Sequence, residues 1–154
     1  MDYLFALRAT TRGLASGRLT VADCRLLVSV RLLETVARVA VVYVPLPTAR
    51  RTLAKLRPLA IALSGNAPEH RVIWAVEAGS RWAGATTCLA RALAAELLLP
   101  ATGAPLVVTI GVTSPARGLL KSHAWVERDG RVLVGGDESR CEYEPFVAWL
   151  GGAA

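Results

Sequence analysis

An α+β fold is what the sequence predicts, with a helical N-terminal region ahead of a core in which a cysteine-bearing helix packs on an antiparallel sheet. Three observations carry that expectation. The first sixty residues place apolar positions at helical spacing, interrupted at Ser16-Gly17 and again around Pro45. The stretch "GATTCLARALAAELLL" (residues 84–99) sets a cysteine in front of a long run of helix-forming residues. Beyond it, "LVVTIGV" and "SHAWVERDGRVLVGG" are β-rich, and the second carries an Asp-Gly turn dipeptide.

Taken in order, Asp2 suits the N-cap of a helix over residues 3–15, which Ser16-Gly17 would end. Thr20-Val-Ala-Asp23 has the pattern of a capping box, with Asp in the usual place of Glu. It should open a long helix that stops before Pro45 and Pro47. Thr48 is then expected to cap a short basic helix, "ARRTLAKLR", closed by Pro58. "SGNAP" (residues 64–68) is the best boundary, dividing a helical region, 1–65, from a second domain, 66–154. Pro68-Glu69 suits a helix first turn, with Val72, Ile73 and Val76 as its apolar stripe. The Cys88 helix should end near Pro100, followed by a strand at 106–112 and a hairpin turning at Asp129-Gly130.

Composition narrows the function. At 154 residues and 53% hydrophobic content, the chain is long enough for one well-formed core. The N-terminus lacks the pattern of a secretory signal. The most membrane-like run, residues 26–46, holds Arg31, Glu34 and Arg38. Each would cost about 2.5–3.5 kcal/mol near a bilayer centre, so no membrane span is expected. Three cysteines at irregular spacing make no disulfide framework, and two histidines without CxxC make no metal site. A reducing cytoplasm is the expected compartment. Residues 1–60 hold ten Arg and Lys against Asp2, Asp23 and Glu34, whereas residues 61–154 hold eight against nine acids. Low aromatic content argues against nucleic acid, leaving a solvated helix face or an acidic protein partner. No glycine-rich phosphate loop is present, and no cofactor is expected.

The chemistry turns on Cys88. Read alone it is either a small core residue or a thiolate at a helix start, where free N–H groups and the dipole favour negative charge. Thr86 or Thr87 is placed to cap that helix. A base is needed. His123, in one arm of the hairpin, is the first candidate, and His70 in an exposed first turn is its competitor. An orienting carboxylate would complete the set. Asp129 sits in the turn, roughly 20 Å from His123 along an extended strand, and is out of reach. Asp137, on the return strand, comes within reach if a three-residue loop sets His123 opposite Gly135, or if Gly135-Gly136 bulges; Glu138 is the fallback. Trp82, Thr87 and Trp125 flank these elements and are candidates for substrate contact, with core packing the alternative for Trp125. Cys24 and Cys141 read as bystanders.

"CLARALAAELLL", "VVTIGV", "HAWVERDGRV" and "GGD" together resemble the transglutaminase-like cysteine peptidases of lasso-peptide biosynthesis, in the free-standing form that is the second half of a split B protein. The resemblance covers about residues 70–150. It implies a transglutaminase-like, papain-like core and a catalytic triad of Cys88, His123 and Asp137. It further implies a leader peptidase acting on a ribosomally made precursor peptide. A separate leader-peptide recognition protein and an ATP-dependent macrolactam synthetase, the lasso cyclase, are the implied partners.

Overall fold

A computed structural model describes residues 19–82, 87–101, 103–113, 120–136 and 142–151, the side chains of residues 80–82 excepted. Among the described residues there are five helices and four strands. The helices are α1 (Val21–Tyr43), α2 (Leu46–Ala54), α3 (Arg57–Ser64), α4 (Glu69–Trp82) and α5 (Cys88–Leu98). The strands are β1 (Val107–Val112), β2 (Ser122–Arg128), β3 (Arg131–Val134) and β4 (Glu144–Leu150). The fold is α+β, as expected. The helix expected over residues 3–15 lies outside the described residues.

Helix α1 opens on the expected capping box: the Thr20 side chain accepts from the Asp23 amide, and the Asp23 carboxylate accepts from the Thr20 amide. Asp23 also pairs with Arg71, tying α1 to α4, and Arg25 donates to the Ala62 and Leu63 carbonyls at the end of α3. Two proline readings need correction. Helix α2 starts at Leu46, with Pro45 in the N-cap position and no side-chain cap, so Thr48 lies inside it. Pro58 does not close a helix but stands in the first turn of α3. Proline has no N–H to donate, and the first turn is where that loss is harmless.

Helix α5 is buried nearly all round. Ala90, Ala92, Leu93, Ala94, Ala95, Leu97 and Leu98 are all in the core, which is what a helix apolar on every face requires. It packs against α1, α3 and α4 on one side and β2 and β1 on the other. One apolar cluster therefore includes Leu26, Val30 and Leu33 of α1, Val72 and Val76 of α4, and Val108, Ala124 and Val126 of the sheet. Arg57 closes the far end of α5 by donating to the Glu96 and Leu99 carbonyls, both at 2.7 Å.

The sheet is antiparallel in the order β3-β2-β1-β4. The β2–β3 turn falls at Asp129-Gly130 as expected; it has two residues, with φ 50° and 72° as a type I′ turn requires, and not the three-residue loop. Beyond it the ladder shifts register. Arg128 pairs with Arg131 and Glu127 with Val132, but Val126 pairs with Val134, so Leu133 is an extra residue within β3. That bulge brings Gly135 beside Trp125 rather than opposite His123: a Cβ on Gly135 would lie 2.5 Å from the Trp125 Cβ. Strand β4 carries no expectation from the sequence. It forms the sheet edge beside β1, leaving Phe146 73% exposed.

Candidate active site

Helix α5 presents Cys88 as its first residue. Thr87 precedes it in extended conformation, and its hydroxyl accepts from the Ala90 amide at 3.2 Å. That cap directs the start of the helix toward β2. His123 is the second residue of β2, and its imidazole is hydrogen-bonded to the half-buried Cys88 thiol. Donors around a sulfur favour its ionised form.

The electrostatics agree. The hydrogen bond with His123 draws the Cys88 pKa below the ordinary thiol value, outweighing burial, and the Ala124 and Leu89 amides reinforce it. The same bond, to Cys88, raises the His123 pKa above the ordinary imidazole value, aided by the Gly135 carbonyl and opposed by burial and by Arg91. Opposite shifts in one hydrogen-bonded pair favour the thiolate–imidazolium form.

His123 is fixed on its other side by backbone. Nε2 lies 2.8 Å from the Gly135 carbonyl oxygen. A carbonyl only accepts, so Nε2 carries the proton and Nδ1 is left for the sulfur. The Tyr143 ring tilts against the imidazole at 5.2 Å between centroids, and Trp125 stacks at 6.4 Å. Gly111 lies directly across from His123 on β1. A Cβ there would come within 2.7 Å of the Trp125 ring and 2.9 Å of the Tyr143 Cβ. The glycine thus makes room for both rings beside the histidine.

The structure brings Cys88 and His123 together. Asp137, Glu138 and Cys141 lie outside the described residues, as does the Trp82 side chain. Thr87 is exposed but its hydroxyl is engaged as a cap. Trp125 is only 1% exposed and packs over two glycines on the sheet face. Asp129 occupies the turn, His70 is exposed on α4, and Cys24 is an exposed first-turn residue of α1. Sequence reasoning missed the Gly135 carbonyl, Gly111 and Tyr143. A backbone carbonyl such as that of Gly135 has no side-chain signature. Among the described residues no group of three or more His, Cys, Asp or Glu is arranged to hold a metal ion. None of their helices is long and apolar enough to cross a membrane.

A cysteine with a lowered pKa at a helix N-terminus, beside a histidine with a raised one, has the chemistry of a nucleophile paired with a general acid. In agreement, the family model described as "Transglutaminase-like superfamily" matches residues 24–148. No curated protein and no solved structure gives a significant match.

Proposed function

Since the chain belongs to the transglutaminase-like superfamily, we propose that it is a cytoplasmic cysteine peptidase that removes the leader from a ribosomally synthesised lasso-peptide precursor. In this reading it acts with a separate leader-binding recognition protein and passes the core peptide to an ATP-dependent macrolactam synthetase. The observation that carries the enzymatic part is the Cys88–His123 hydrogen bond with its opposed pKa shifts. The resemblance in "CLARALAAELLL" and "HAWVERDGRV" supports the choice of substrate.

The proposed reaction follows from the pair. The Cys88 thiolate attacks the scissile carbonyl, and the oxyanion takes a hydrogen bond from the Cys88 amide region. His123, protonated in the resting pair, gives its Nδ1 proton to the departing amine. It then takes a proton from the water that hydrolyses the thioester. Asp137 is the carboxylate we assign to stabilise the imidazolium by its negative charge, since the Gly135 carbonyl and the Cys88 sulfur take the two ring N–H groups.

Mass spectrometry of precursor peptides incubated with the protein and the recognition partner tests the reading. A leader fragment ending in a new carboxylate is expected, and none with Cys88→Ala. Products joined to an amine instead would reassign the enzyme as a transamidase. Full cleavage by Cys88→Ala would end the cysteine-peptidase reading.

A further inference from the structure

Beyond β3 the chain runs through Gly135 and Gly136, with φ of 117° and 88°. Both lie past Val126–Val134, the last ladder pair of β2 with β3. Two glycines beyond a ladder have wide conformational freedom, yet the Gly135 carbonyl must stay within 2.8 Å of His123 Nε2 to orient the ring. Glu77, on α4, meets this need. Its Oε1 accepts from the Gly135 amide at 3.3 Å, while Oε2 stands 4.0 Å from the Arg91 guanidinium. Arg91 lies on α5, one turn after Cys88. The contacts therefore close a ring: Cys88 to His123, His123 to Gly135, Gly135 to Glu77, Glu77 to Arg91, and Arg91 back through α5 to Cys88.

We infer that Glu77 is a positioning residue for the Cys88–His123 pair, acting through the Gly135 backbone. The inference rests on the peptidase reading only in so far as that pair is the reactive one. Glu77 fixes the peptide that fixes the imidazole. Its essential property is hydrogen-bond acceptance, which glutamine shares.

The test needs no substrate. In a Cys24→Ser, Cys141→Ser background, the rate of Cys88 alkylation by iodoacetamide is followed by intact mass across pH, with folding checked by circular dichroism and thermal melting. Glu77→Ala is expected to slow alkylation near pH 6 about tenfold or more, through a displaced imidazole, and to move the acid limb toward higher pH. Glu77→Gln should recover the parent rate to within roughly threefold. Glu77→Met, which keeps the volume but accepts no hydrogen bond, should behave as Glu77→Ala and replaces it should the alanine variant fold poorly. A folded Glu77→Ala or Glu77→Met profile that superimposes on the parent would overturn the inference, as would Glu77→Gln as slow as the alanine variant. A parent profile with no lowered limb, unmoved by His123→Ala, would instead overturn the reactive pair itself.

Discussion

The Gly135 carbonyl oxygen accepts a hydrogen bond from His123 Nε2 at 2.8 Å, and this contact decides which ring nitrogen faces the thiol. Because the carbonyl holds the Nε2 proton, Nδ1 is the atom that exchanges a proton with Cys88. A backbone acceptor here does part of what a carboxylate does in other nucleophile–base–orienter sets.

Gly135→Ala follows directly. Its φ of 117° is one that residues with a side chain rarely adopt, and the new Cβ would lie 2.5 Å from the Trp125 Cβ. The backbone must shift, at a cost of about 1–3 kcal/mol. The carbonyl then leaves His123. Thermal denaturation should show the loss of stability, and the Cys88 alkylation rate should fall with it.

The pH dependence of reactivity follows from the two shifts. Cys88 is lowered, so its thiolate forms below the usual thiol range of about 8.5. His123 is raised, so the imidazolium persists above its usual value of about 6.5. Both shifts widen the range of pH over which thiolate and imidazolium coexist. Peptide cleavage should therefore give a bell: activity falls in acid as the thiolate is protonated, and in base as the imidazolium is lost. Cys88 alkylation should show the acid limb. His123→Ala should move that limb upward toward an ordinary thiol.

Much of this site was legible because its signals are local. Thr20-x-x-Asp23 announces α1, Asp129-Gly130 announces the turn, and a threonine before Cys88 announces a capped helix start. What escaped is non-local or belongs to the backbone. Nothing in "RVLV" marks Leu133 as the bulged residue, yet that one insertion sets which residue stands beside Gly135. Glu77 lies 58 residues before the amide it receives. Strand β4 holds Pro145 and an exposed surface, so it lacks the alternation that identifies a half-buried strand. Pro58 reads as a stop in sequence because the same residue both ends and begins helices, and only the chain direction that follows distinguishes them.

The basic N-terminal region offers a testable surface. Arg50, Arg51, Lys55 and Arg57 line a groove of about 480 Å³ over Leu53, Leu93 and Leu97. Arg57 is engaged with α5 carbonyls, and Arg50 with Glu96 and the Trp149 ring. Arg51 and Lys55 are the exposed cations. If an acidic face of the recognition protein docks here, Arg51→Glu with Lys55→Glu should weaken binding and flatten its salt dependence. Titration calorimetry at two ionic strengths measures both. Unchanged affinity in the double variant would remove electrostatic docking from this groove.

Glu34 yields the least intuitive prediction. It is 1% exposed in α1, with Oε2 2.7 Å from Arg31. Burial raises its pKa above the ordinary carboxyl value, and Arg31 and Arg91 offset this only in part. A carboxyl whose folded pKa exceeds its unfolded one holds its proton more tightly in the fold. Its ionised form therefore opposes folding; the opposition is full above the folded pKa and vanishes below the unfolded one. Glu34→Gln keeps an acceptor for Arg31 without the buried charge. It should thus be as stable as the parent at neutral pH or more so, since replacing a buried charge by a neutral group of like shape is often neutral or stabilising. Glu34→Ala should instead lose stability by leaving a void and an unmet guanidinium. Thermal melts from pH 4 to 8 separate the effects: the glutamine advantage should shrink toward acid. A Glu34→Gln protein markedly less stable at neutral pH would mean that the Arg31 and Arg91 charges outweigh the burial of this carboxylate.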